Sequence, residues 1–308
     1  MIRVMNTSKR QVMWVVFTIA LIAISVPVRA GRVVTDQTGR RVTVPDHPTR
    51  LVSLAPSVTE TLFHLGFGQH IVGDTDYCEY PPEAKLKPHV GSILNPSLEK
   101  VVSLKPDLVL GSPEANRRET ADRLERLGIP FYGVTARTVD QTLRSILDLG
   151  RLLGRETEAK RLVNDLEQRI QAVSRRVRDR QAPRVLFVVW YRPLTTAGAR
   201  TFISDVIRCA GGEPISQGLA GEWPKLGLEE ALRLDPDVIL FPRSESFSPD
   251  LKEFESLPGW RNLRAVKLRR MYIISDSIIR PSPRLVNSLE EVARILHPDG
   301  KDRPEATR

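Results

Sequence analysis

Two cysteines in 308 residues, Cys78 and Cys209, are too few for a disulfide framework. The residues leave open whether they form one bridge or remain two thiols. Histidine is nearly as sparse. His47, His64, His70 and His89 fall in the first third of the chain and His297 lies near its end. A metal held between two halves of the molecule needs ligands from both, so none is expected. His64, on an apolar helix face, reads as a packed core residue. The chain also lacks GxxxxGK[ST], HExxH and GxSxG, and Gly66-Phe67-Gly68 has no third glycine and follows a helix rather than a strand. No catalytic residue and no resident cofactor are expected.

Long apolar runs are missing everywhere except at the start. Arg3, Lys9 and Arg10 precede an apolar stretch from Val12 to Val26, and Val28-Arg29-Ala30 follows as a small-x-small cleavage site. That is the pattern of a secretory signal peptide over residues 1–30, which places the mature protein in the periplasm. An uncleaved anchor is the alternative reading, but the run is short for a membrane span. No cysteine follows the run, which argues against a lipid anchor.

The net charge is +9, but four of the 46 basic residues and none of the 37 acidic ones lie in the leader, leaving +5. The excess is dispersed, with no basic block interleaved with aromatics, so nucleic acid is not an expected partner.

What is present is a repeat. Residues 98–111, LEKVVSLKPDLVLG, return 130 positions later as LEEALRLDPDVILF at 228–241. Leu98 matches Leu228, Glu99 matches Glu229, Leu104 matches Leu234, Pro106 matches Pro236 and Asp107 matches Asp237. Each copy reads as a short helix, a Pro-Asp break and a buried strand. The period is too long for a solenoid and predicts two similar α/β lobes with a cleft between them.

Around the repeat, residues 31–49 read as a hairpin, 50–55 and 71–73 as strands, about 115–127 as a helix and 129–134 as a strand. Ser57-Val58-Thr59-Glu60 has the form of a capping box opening a helix that ends at Gly66. Apolar residues at helical spacing predict a helix over 138–154 and a second, about 37 Å long, to about Arg180. Its face is not a strict heptad, so it reads as a strut between lobes rather than a coiled-coil dimer seam, and a monomer is expected. Beyond it, 184–190, 263–266 and 271–275 read as strands, 201–209 and about 284–296 as helices, and the tail from Pro298 as frayed. The fold expected is α/β: two Rossmann-like lobes with mostly parallel sheets, joined by one long helix. The segments are 1–30 (leader), 31–137 (first lobe), 138–181 (helical), 182–297 (second lobe) and 298–308 (tail).

Aromatic residues make up only 6% of the chain, so their placement carries information. Tyr77 and Tyr80 fall in the loop after a first-lobe strand, Trp190 and Tyr191 end a second-lobe strand, and Trp223 precedes the second repeat helix. Strand ends are where α/β folds bind ligands, and these rings would offer flat apolar faces to a bulky ligand. Asp276, Arg280 and Arg284 follow the last strand as polar complements; surface ion pairing is their alternative role. Glu99 and Glu229 sit in the first turn of matched helices, where an acid complements the helix dipole. Their duplication also suits a pair of docking points for a basic partner.

Several stretches taken together resemble the class III periplasmic substrate-binding proteins of ABC importers, in particular the cobalamin-binding branch. They are RLVSLAPSVTETLFHLG, DYCEYPPEAK, NPSLEKVVSLKPDLVLG, TTAGARTFISDVIRCAGG, EWPKLGLEEALRLDPDVIL and SDSIIRPSPRLV. The resemblance implies that Glu99 and Glu229 dock onto arginines of a permease dimer, and that Tyr77 and Trp223 are aromatic walls against a corrin. It implies that Asp276 and Arg280 lie near the ligand's amides and that Ser57 is a backbone-contact position. The sequence departs at Ile93 and Ser112, where relatives can carry tryptophan, and its final helix has no cysteine to match the bridge some relatives make from the position of Cys209. The function implied is capture of cobalamin or a cobinamide-like corrinoid as cargo. Ferric siderophores are an alternative, with Arg192, Arg243 and Arg280 as candidate contacts, and so is haem, with Tyr77 or Tyr80 as axial ligand. A secreted enzyme using Glu99 or Asp276 as acid or base is the rival of a different class, and no nucleophile–base pair supports it.

Overall fold

The computed structural model describes residues 31–243 and 249–299. The expected leader and the tail from residue 300 lie outside the described residues. In chain order the elements begin with the hairpin β1 (Gly31–Thr35) and β2 (Arg41–Pro45). The first lobe follows with β3 (Leu51–Ser53), α1 (Pro56–His64), β4 (Ile71–Gly73), α2 (Leu98–Ser103), β5 (Leu108–Gly111), α3 (Arg118–Arg126) and β6 (Phe131–Gly133). Two long helices come next, α4 (Val139–Leu152) and α5 (Glu156–Val177). The second lobe holds β7 (Arg184–Tyr191), β8 (Leu194–Thr196), α6 (Phe202–Cys209), β9 (Glu213–Pro214), α7 (Leu228–Leu234) and β10 (Val238–Pro242). It closes with α8 (Leu251–Ser256), α9 (Arg264–Lys267), β11 (Met271–Ile274) and α10 (Leu285–Leu296).

The two sheets repeat one topology. The first runs β4-β3-β5-β6, all parallel; in the second β9 lies beside β7, followed by β10 and β11, also parallel. Only β8, antiparallel to β7, has no counterpart in the first lobe's sheet. The repeated Pro-Asp explains the matching register. In each copy the aspartate amide donates to the carbonyl of the residue opening the neighbouring strand, Arg50 (2.9 Å) or Arg184 (2.8 Å). The same aspartate's carboxylate accepts that residue's amide, Asp107 from Arg50 at 3.0 Å and Asp237 from Arg184 at 2.8 Å. Each Pro is preceded by a residue forced to positive φ, Lys105 (48°) and Asp235 (41°), which turns the helix end into the strand.

Alternation within each strand feeds both faces. Leu51, Leu108 and Leu110 of the first sheet and Val185, Phe187, Val238 and Leu240 of the second face one continuous core with α4, α5 and α10. Their neighbours Val52 and Val109, and Leu186, Ile239 and Phe241, fill separate outer cores. Helix α5, 22 residues and about 33 Å long, packs on α4 and α10. A side chain at Gly150 would put its Cβ 2.3 Å from that of Ala159, so glycine there lets α4 and α5 close together. Arg169 grips Glu290 on α10 with two bonds of 2.9 Å. The long helix is thus bonded along its length to the second lobe.

Several expectations are corrected. Ser57 does not cap α1: the N-cap is Ala55, without a side-chain bond, and Pro56 starts the helix with its fixed φ. Residues 264–267 form a helical turn, not a strand; Leu263, Ala265 and Val266 fit one turn facing the outer core as well as they fit a strand. Helix α3 starts later than expected because the Asn116 side chain closes a turn on Ser112 and holds the carbonyls of Leu54 and Ile93. His64 is exposed rather than packed in the core. Cys78 and Cys209 are both free thiols. The start of the tail is held rather than frayed, since Asp299 pairs with Arg176 and Arg180 at 2.8 Å each.

Candidate ligand-binding site

Every residue expected to meet ligand lies at or beyond the carboxyl end of a strand. Ser57 follows β3, Tyr77 follows β4, Trp190 sits in the last turn of the pleat in β7, Trp223 follows β9, and Asp276 and Arg280 follow β11. In open α/β sheets this edge is where the side chains of several loops converge. The aromatics are exposed there: Tyr77 and Trp223 at 52%, Trp190 at 46% and Tyr80 at 39%.

Register relates the two tryptophans. Trp190 pairs with Thr195 across β7 and β8, and Thr195 bridges to Lys225. Amides of Thr196 and Gly198 donate to the carbonyls of Pro224 (3.1 Å) and Glu222 (2.8 Å), so residues 222–226 extend the ribbon. Thr195, the partner of Trp190, thus joins β7 to the Lys225 segment, and Trp190 and Trp223 come from neighbouring segments of the second lobe. The Trp190 indole donates to the Arg192 carbonyl at 2.9 Å, fixing its ring. Its neighbour Tyr191 points the other way and packs against Phe254, with centroids 5.4 Å apart.

The polar residues converge on a carboxylate that the sequence did not single out. Glu60 on α1 is 1% exposed. It accepts from Arg284 Nε (2.9 Å) and Nη2 (2.7 Å) and from Ser282 Oγ (2.5 Å), all of the second lobe. Asp276 completes the cluster, accepting from Arg280 Nε at 2.9 Å and lying 3.4 Å from Arg284. Arg280 also reaches the Tyr77 carbonyl across the lobes at 3.4 Å. The Arg284 guanidinium lies 4.1 Å from the Tyr80 ring centre, and His64 stacks on the same ring at 6.4 Å. Burial alone would pull the Arg284 pKa down, but the Glu60 bonds and the two carboxylate charges outweigh it and hold it above its ordinary value. Tyr80 is therefore part of an interlobe stack, whereas Tyr77 stays open. Asp276 and Arg280 are spent on each other as much as on the cleft.

The loop bearing Tyr77 rests on a second buried acid. Asp74, just after β4, is fully buried and bonded to His89 Nδ1 at 2.8 Å, while its Oδ2 has no hydrogen-bond partner among the described residues. Burial pushes its pKa up to about 6, against the pull of His89 and Lys87. Beside it the Cys78 thiol, among the hydroxyls of Thr59 (3.2 Å) and Thr75 (3.3 Å), is pushed by burial up to about 11 and is not a nucleophile. Among the described residues no group of three or more His, Cys, Asp or Glu could hold a metal.

Glu99 and Glu229 occupy equivalent first turns of α2 and α7, and both are exposed. Neither has an ion-pair partner among the described residues, while Glu230 beside the second is paired with Arg233. A surface depression of about 680 Å³ adjoins the Tyr80 stack, lined by first-lobe residues including Phe63, His64, Gln69, Tyr80, Glu83 and Leu86.

Two matched α/β lobes, tied by a long helix and meeting around aromatic strand ends, define a two-lobe binding protein. The chain belongs to the periplasmic binding protein family, whose model matches residues 51–277. It is 32% identical over 273 residues to an uncharacterized ABC transporter substrate-binding lipoprotein of Bacillus subtilis, covering 86% of this chain and 85% of that one. Among solved structures it is similar to the periplasmic vitamin B12 binding protein of Vibrio cholerae, with TM-score 0.72 and 25% identity over 81% of this chain and 96% of that one. It is equally similar to a periplasmic heme-binding protein from Roseiflexus sp. RS-1, with TM-score 0.73 and 27% identity over 80% and 97% of the two chains. Proteins of this family bind substrates for ABC transport and are not enzymes, and they work outside the cytoplasm. Among the described residues no helix is long and apolar enough to cross a membrane.

Proposed function

We propose that this chain is the periplasmic receptor that captures a corrinoid, cobalamin or a cobinamide-like relative, between its lobes and delivers it to an ABC permease. The observation that supports this most is the set of bare rings in the segments beyond the strands of both lobes, Tyr77 from the first and Trp190 and Trp223 from the second. A corrin has broad apolar faces and a rim of neutral amides, which suits aromatic walls with few free charges. Of the arginines that an anionic siderophore would need, Arg280 is engaged by Asp276 and Arg192 lies over Tyr191 and 3.5 Å from Glu253, which leaves Arg243, at the carboxyl end of β10, as the one of the three without an ion pair among the described residues. In this reading the protein works as a monomer, its cobalt is cargo, and Glu99 and Glu229 are the docking points on the permease.

Haem is the second reading, favoured by the exposed Tyr77, whose phenol has no hydrogen-bond partner among the described residues and could ligate iron, and by the likeness to a heme-binding protein. The test is retention of colour. The purified protein is incubated separately with cyanocobalamin, haemin and a ferric siderophore and passed through gel filtration. Co-eluting pink supports the corrinoid; retention of haemin alone replaces it with the second reading.

A further inference from the structure

The chain leaves the first lobe at Arg137, and that corner is fixed on both sides. The Arg137 amide donates to Gln141 Oε1 at 2.8 Å, and the Val139 amide donates to Asp205 Oδ2 on α6 at 2.8 Å. From this base the guanidinium reaches two carboxylates. Its Nη1 pairs with Glu222 of the second lobe, and its Nε lies 3.5 Å from Glu114 Oε1 of the first. Glu114 is itself held, by Ser112 Oγ at 2.7 Å and by the Thr135 hydroxyl. One guanidinium therefore ties the loop at the carboxyl end of β5 to the residue immediately before Trp223.

Among the described residues, the backbone hydrogen bonds of the Trp223 segment otherwise run along one edge, to residues 194–198. Its carbonyls bond to the amides of Thr196 and Gly198, and a side chain on Gly198 would put Cβ 2.1 Å from the Gly221 carbonyl oxygen. The indole is half exposed and has no ring or hydrogen-bond partner among the described residues. The tie across the lobes is the contact that can set how far this ring stands from the first-lobe rim. Arg137 and Glu222 are each nearly half exposed, at 49% and 45%, so their pair adds little to fold stability. Its effect should be on position.

We infer that Arg137 is a positioning residue for the ligand cleft: through Glu222 and Glu114 it holds the Trp223 segment against the first lobe and pre-organises the aromatic wall. The inference rests on the corrinoid reading for its ligand but not for its geometry, and the experiment separates the two. Protein labelled with 5-fluorotryptophan is studied by ¹⁹F NMR, with the Trp223 resonance assigned by its loss in W223F. R137Q and E222Q should each move that resonance, leave that of the buried Trp260 in place, and leave the melting temperature nearly unchanged. Titration with cyanocobalamin should show Kd raised about three- to ten-fold in either variant, as lost pre-organisation predicts. The double variant should be no worse, because the two residues act through one contact. An unmoved Trp223 resonance in R137Q would overturn the inference, and so would a moved resonance with unchanged affinity. If the wild-type protein binds neither cyanocobalamin nor haemin, the cargo reading fails, and the resonance alone upholds or overturns the tie.

Discussion

Arg284 holds Glu60 in a two-pronged grip from the other lobe, 2.7 and 2.9 Å long, with Ser282 donating a third bond at 2.5 Å. The two residues are 224 positions apart, and both side chains are largely buried, at 13% and 1% exposure. With the shared core of α4, α5 and α10, this pair ties the two lobes together. Small motions are expected on binding, with the stiffness coming from that tie as well as from the long helix.

Breaking the grip should be costly, and replacing it should be less so. Glu60→Leu leaves Arg284 with Asp276 alone, and Arg284→Met leaves Glu60 with Ser282 and with Arg280 at 3.8 Å; each removes the main partner of a buried charge and should lower unfolding free energy by up to about 3–5 kcal/mol. The double variant should recover a large part of that loss, since neither charge is then stranded. Urea denaturation of the four proteins measures both statements. Single variants as stable as wild type would show that the pair does not hold the lobes.

Asp74 predicts a pH dependence with a definite sign. Its folded pKa, about 6, lies above the ordinary aspartate value of 3.8, so the folded state binds the proton more tightly. The stabilisation is complete below about 3.8 and is lost as pH rises through about 6. Asp74→Asn should remove this contribution, about 1–3 kcal/mol in differential stability between pH 4 and pH 7. Melting temperatures across that range, wild type minus variant, should fall as pH rises; a flat difference would refute the assignment to Asp74.

Trp223→Ala should weaken cyanocobalamin binding by about 1–3 kcal/mol, the scale of a lost aromatic anchor, without lowering the melting temperature. Its exposure means that the fold does not depend on it. Unchanged affinity would remove Trp223 from the site.

Glu99→Ala combined with Glu229→Ala should leave ligand affinity intact and abolish uptake in cells. Both carboxylates are exposed on equivalent helices and make no ion pair among the described residues, so the folded state loses little beyond their complement to the helix dipoles. Normal uptake by the double variant would exclude the docking role.

The repeat made the architecture legible before any coordinates. Its Pro-Asp breaks and β-branched bursts mark the two central strands, because those strands are buried on both faces and must be apolar throughout. The placement of Tyr77, Trp190 and Trp223 beyond the core was legible because they fall at or past strand ends, though Tyr191, at the same strand end as Trp190, packs on Phe254 instead. Glu60 was not legible. Its spacing from Ser57 fits a capping box, and only the folded chain brings it to Arg284. His64 was misread for a related reason, since one turn of α1 turns its face outward onto Tyr80. Residues 263–266 were misread because four residues are too few to separate a helical turn from a strand by periodicity.

The corrinoid reading requires that a single flat chelate cover both second-lobe tryptophans at once. Titrating the protein with cyanocobalamin while following tryptophan emission tests this most directly, because the corrin absorbs where indole emits. Quenching should saturate at one equivalent, with most of it lost in Trp190→Phe/Trp223→Phe, where only the buried Trp260 remains among the described residues. Linear, unsaturable quenching, identical in that variant and in wild type, would contradict it.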